Sequence, residues 1–109
     1  AEEDLDTAIF NLDGKKFDAG LFFLQQSAEK ALKAVYIKKF ENILRTHDLV
    51  KLSREVKAPK EIEEICKELT SVYQYTRYPD VKTDSVIDIN EIERFKQGVK
   101  EIIKWTKKQ

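Results

Sequence analysis

Residues 16–40 read KFDAGLFFLQQSAEKALKAVYIKKF, and this stretch decides the fold. Leu21, Leu24, Ala28, Ala31, Leu32 and Val35 recur at three- and four-residue steps and form one continuous stripe, the mark of an amphipathic helix. No Pro interrupts the stretch. A helix of this length is expected to be the central element around which the rest of the chain packs.

The same period runs outward on both sides. Towards the N-terminus, Glu2 to Asp13 is expected to form a first helix. Its Leu5, Ala8, Ile9 and Leu12 turn inward, and Glu2, Glu3, Asp4 and Asp6 sit where the helix dipole favours anions. Gly14 is expected to end it. Beyond a loop over 41–45, Thr46 or Asp48 can cap a short third helix carrying Leu49, Val50, Leu52 and Val56. Pro59 suits the first turn of a fourth helix, whose Ile62, Ile65, Cys66, Leu69, Val72 and Tyr73 keep the 3.6-residue period. That helix should stop near Thr76, because Pro79 disfavours helical geometry at Tyr78. Residues 77–90 have no period and read as a loop, and long ordered loops tend to be functional. Asn90 followed by Glu93 matches a capping box opening a last helix, with Ile92, Phe95, Val99, Ile102 and Ile103 inward. The expectation is an all-α single domain over residues 1–109, an up-and-down helical bundle of four long helices plus one short helix.

Composition narrows the function classes. The 109 residues are 41% hydrophobic and 37% charged, with 20 basic and 20 acidic side chains and a formal net charge of zero. This composition folds rather than stays disordered, and zero net charge argues against a general nucleic-acid coat. The charge is segregated, however: −5 over residues 1–13, +6 over 14–60, −6 over 61–93 and +5 over 94–109. Such alternation suits helices that neutralise one another side by side. A lone Cys66 cannot form an internal bridge, and no apolar run approaches a membrane span, so a cytoplasmic protein is expected. One His and one Cys make a metal site unpersuasive.

Three stretches carry the polar chemistry. On the central helix, Gln26, Lys30 and Lys33 lie within about 60° of one another, roughly opposite the apolar stripe. The plain reading is a solvated face with a Glu29–Lys33 pair one turn apart; the sharper one sets two ammoniums beside a phosphate. Phe22, Tyr36 and Phe40 form a second apolar stripe, which suggests a second subunit as well as the bundle. His47 is the only histidine and sits with Asp48 at a helix start, where local hydrogen bonding is the plain role and acid–base work the sharper one. Finally, Tyr73-Gln74-Tyr75-Thr76-Arg77-Tyr78-Pro79-Asp80 can simply close a helix. It also supplies stacking surfaces, a bidentate phosphate donor in Arg77, and an acceptor for ribose or Mg²⁺ in Asp80. No Gly-rich phosphate loop is present.

The run Phe17-Asp18-Ala19-Gly20-Leu21-Phe22-Phe23 into Gln25-Gln26-Ser27-Ala28-Glu29-Lys30-Ala31-Leu32-Lys33-Ala34, then Thr46-His47-Asp48-Leu49, then Thr76-Arg77-Tyr78-Pro79-Asp80, resembles the HEPN family of prokaryotic helical domains over nearly the whole chain. The resemblance implies a helical-bundle homodimer. It also implies a small nucleotidyltransferase partner in a toxin–antitoxin-like pair and a nucleotide- or RNA-binding role. On this chain the implied binding residues are Gln26, Lys30, Lys33, His47, Asp48, Arg77, Tyr78 and Asp80, and the second apolar stripe of Phe22, Tyr36 and Phe40 is the expected dimer interface. No cofactor is required by the pattern; a nucleotide is the expected ligand, with Mg²⁺ admissible beside it. Ribonuclease members carry an Arg followed four to six residues later by a His. The first Arg here is Arg45 and the only His is His47, so that spacing is absent. A binding module is therefore expected ahead of an enzyme. The alternatives are a ribonuclease using His47 and Arg77, or a structural and protein-docking domain.

Overall fold

The computed structural model describes the backbone of residues 1–76 and 89–109 and the side chains of 1–72 and 90–109. Among the described residues there are five helices: α1 (Glu2–Asp13), α2 (Phe17–Phe40), α3 (Leu49–Glu55), α4 (Lys60–Thr76) and α5 (Ile89–Lys107). No strand occurs among the described residues, so the all-α expectation holds. The loop expected over 77–90 lies outside the described residues except at its end. There α5 already includes Ile89 and Asn90, so Asn90 sits within the first turn rather than capping it.

The expected stripes make the core. Leu21, Leu24, Ala28, Leu32 and Val35 of α2 are buried against Leu5, Ala8 and Leu12 of α1, Leu49 and Leu52 of α3, Cys66 and Leu69 of α4, and Val99 and Ile102 of α5. Each such aliphatic side chain contributes roughly 1.5–3 kcal/mol when fully buried. The α2 helix touches all four other helices, as a central helix should. Its packing on α1 is close at one point: a Cβ added to Gly20 would lie 2.4 Å from Leu12 Cδ2.

Ion pairs show the direction of the helices. Glu2 at the start of α1 pairs with Lys107 at the end of α5, and Asp13 at the end of α1 lies 3.5 Å from Lys96 towards the start of α5. These two helices are therefore antiparallel. Arg94 lies 3.6 Å from Glu68 and joins α5 to α4, while Arg54 pairs with Glu63 across the α3–α4 turn. Lys39, at the end of α2, donates to the Val56 carbonyl at 2.8 Å and stands over the Trp105 ring, 5.9 Å from its centroid. One side chain thus ties the ends of α2, α3 and α5.

The turns depart from glycine logic. Gly14 does follow α1, but with φ −81°, and the left-handed position falls on Lys15 at φ 62°. Glu41 closes α2 at φ 51°, its amide donating to the Ile37 carbonyl at 2.8 Å, and Lys57 follows α3 at φ 56°. All three are non-glycine residues in the left-handed region, where a Cβ is strained.

Candidate functional site

The stripe on α2 is not purely apolar: Gln25, Ser27 and Glu29 are also buried. Ser27 Oγ donates to the Ala1 carbonyl at 2.6 Å, whereas Gln25 Oε1 meets no hydrogen-bond partner among the described residues. Glu29 is only 5% exposed. A carboxylate in that position is costly unless it is paired and hydrogen-bonded.

Two partners supply this. Lys33, one turn further along α2, places Nζ 3.1 Å from Glu29 Oε2. His47, from the segment before α3, places Nδ1 3.1 Å from both Oε1 and Oε2. The local sequence explains how His47 arrives there. The left-handed turn at Glu41 ends α2, and hydrogen bonds on both sides of His47 then fix the backbone. Thr46 Oγ1 accepts from the Asp48 amide at 3.1 Å, and Asp48 Oδ1 accepts from the Lys51 amide at 3.1 Å as the cap of α3. The His47 side chain is 87% exposed even though its Nδ1 faces a buried group. Its other ring nitrogen, Nε2, is thereby left towards solvent.

The remaining expected residues divide. Lys30 stands on the other flank of α2, with Nζ 2.7 Å from Asp4 of α1, and that hydrogen bond, then the charge, pushes its ammonium pKa up. It lines a separate groove with Ala31, Ala34, Lys38, Ile103 and Lys107. Gln26 is half-buried. Asp48 serves as a helix cap. Arg77, Tyr78 and Asp80 lie outside the described residues, as do the side chains of Tyr73 and Tyr75. Lys33 and His47 are therefore brought together, through Glu29, and Lys30 is not part of that cluster.

On the expected second apolar stripe, Phe22 and Phe40 are exposed and Tyr36 is half-buried, its ring 4.6 Å from that of Phe40. Ile37 and Ile43 are exposed as well and were not legible as part of that stripe. Among the described residues no three His, Cys, Asp or Glu side chains gather as a metal site, and no described helix is long and apolar enough to cross a membrane. Cys66 is buried, and that burial pushes its thiol up to about 12. It is a core residue, not a nucleophile.

Glu29 is the functional candidate that sequence reading missed. Its i,i+4 spacing to Lys33 was visible, but not its burial or its contact with a residue 18 positions away. The class defined so far is an all-α domain whose central helix carries a buried, charge-paired carboxylate beneath an exposed imidazole. More particularly, the chain belongs to the HEPN domain family, whose profile matches residues 1–109. No significant match is found among curated proteins or among solved structures.

Proposed function

We propose that this HEPN domain is a dimeric nucleotide- or RNA-binding module of the prokaryotic cytoplasm, acting with a small nucleotidyltransferase partner in a toxin–antitoxin-like system. The observation that carries the reading is the convergence of Lys33 and His47 on Glu29, which groups a cation and a hydrogen-bonding imidazole at the α2–α3 corner. Gln26, Asp48, Arg77, Tyr78 and Asp80 complete the proposed site, and Lys30, held by Asp4 on the other flank of α2, is a separate phosphate contact. The helices form an up-and-down bundle of four long members plus the short α3. Two copies associate through Phe22, Tyr36 and Phe40, and the exposed Ile37 and Ile43 support that apolar face.

The test is a calorimetric titration with ATP, GTP and a short RNA, repeated on Lys33→Ala and on Arg77→Ala. Micromolar binding that both substitutions remove, in variants that remain folded at the assay temperature, upholds the reading. Silence across all three ligands overturns it in favour of a docking domain. The Glu29–His47 pair also favours a second reading, a ribonuclease in which His47 is the base and Arg77 stabilises the phosphorane. RNA cleavage lost in His47→Ala supports this; no cleavage by the unaltered protein rejects it.

A further inference from the structure

We infer that the surface formed by α1 and α5 is a second contact between copies of this chain, in which the acidic face of α1 lies against the lysine face of α5 from another copy. The contact uses no residue of the Phe22, Tyr36 and Phe40 stripe, so it goes beyond the dimer proposed above.

The two helices carry opposite charges in register. Glu2 pairs with Lys107, and Asp13 lies 3.5 Å from Lys96, so equal lengths of α1 and α5 run antiparallel between these two fixed ends. To within a residue, Asp6 then stands level with Lys104 and Phe10 with Lys100. Lys100, Ile103, Lys104 and Lys107 line a groove of about 260 Å³ with Glu2 and Leu5, which places the α5 lysines along the seam with α1. Asp6, Lys100 and Lys104 are exposed and make no ion pair among the described residues. Phe10 lies one turn from both Asp6 and Asp13 on the same face of α1. At 77% exposure it is the most open large apolar side chain among the described residues.

A pattern of this kind fits its own copy. Half a turn about an axis that follows the seam, parallel to both helices, exchanges α1 with α5 and preserves every height. Asp6 then meets Lys104 of the partner subunit. The Phe10 ring meets the alkyl stem and ammonium of the partner subunit's Lys100. The contact is isologous, so each pairing occurs twice. An aromatic side chain enclosed by a polar rim is a common anchor of protein interfaces. A different protein would have to reproduce both charged rows at this spacing, whereas a second copy does so by symmetry. With the α2 stripe also engaged, dimers join into larger assemblies.

Sedimentation velocity at about 50 mM salt, where surface charges are weakly screened, tests the contact. The unaltered protein should associate. Asp6→Lys and Lys104→Glu should each weaken that association about tenfold, because each reverses two pairings. An equimolar mixture of the two variants should recover it, since opposite charges again face each other at both positions. An ion pair within one chain cannot produce recovery on mixing. Phe10→Ala should weaken the association about threefold, with the circular dichroism spectrum unchanged. A monomeric unaltered protein overturns the inference. An association indifferent to Asp6→Lys also overturns it and assigns the contact to the α2 stripe. Loss in both variants without recovery in the mixture overturns it as well.

Discussion

Glu29 is almost wholly buried, and His47, whose Nδ1 lies 3.1 Å from both of its carboxylate oxygens, has a side chain 87% exposed. The asymmetry assigns each residue a different cost of removal. Truncating Glu29 to Ala takes away the shared partner of Lys33 and His47 and leaves a void in α2, so it should lower unfolding stability by about 1–3 kcal/mol. Truncating His47 to Ala leaves the Lys33 pair intact and should cost less than about 1 kcal/mol. Urea unfolding of the two variants checks the order, and a larger loss in His47→Ala would contradict it.

Lys39 is a second long-range tie, bonded to the Val56 carbonyl and set over Trp105. Lys39→Ala should destabilise by about 1–2 kcal/mol, the sum of a lost hydrogen bond and a modest cation–π contact. Trp105 is the only tryptophan, so its emission reports the change directly: the variant's native-state spectrum should shift while Lys39→Arg stays close to the original.

The turns offer a gain in stability. Glu41 and Lys57 hold left-handed geometry without being glycine. Glu41→Gly and Lys57→Gly should each stabilise by up to about 1 kcal/mol, the relief of Cβ strain offset partly by the entropy of a freer unfolded chain. Differential scanning calorimetry should record a higher melting temperature for both. The opposite sign is expected for Gly20→Ala, where the new methyl meets Leu12, and overpacking of this kind costs about 1–3 kcal/mol.

Cys66 gives a pH dependence whose sign can be worked out. Burial raises its folded-state pKa from 9.0 to about 12, so above pH 9 the unfolded chain releases a proton that the folded chain keeps. Stability present below pH 9 is therefore lost as pH rises towards 12, at a limiting slope of about 1.4 kcal/mol per unit. Unfolding midpoints between pH 8 and 10.5 should fall more steeply for the unaltered protein than for Cys66→Ala.

The helices were legible because burial imposes a period, and Leu21 through Val35 or Ile92 through Ile103 repeat it without interruption. The turns were less so. A reading that looks for glycine finds Gly14, but the chain bends in left-handed geometry at Lys15, and nothing local marks Glu41 or Lys57 for that role. Asn90 shows the same limit at a helix start, since a capping pattern fixes a boundary only to within a residue or two. The polar site was half visible for a different reason. Lys33 and His47 were chosen by residue type, but the group joining them lies 18 residues from His47 and looked like one end of a surface pair. Lys30 shares a face with Lys33 by helical angle, yet Asp4 from α1 captures it, a competition that only the packed helices reveal.

The segregated charges have a use beyond neutralisation. Lys30–Asp4, Lys107–Glu2, Lys96–Asp13, Arg54–Glu63 and Arg94–Glu68 each join an acidic block to a basic one. Singly these contacts are worth little, but collectively they act as a proofreading code for assembly. If α4 took the place of α5 beside α1, the −5 of α1 would face a helix of net charge −2 instead of one of +2. A threading with the same hydrophobic core but α4 and α5 exchanged is thereby penalised.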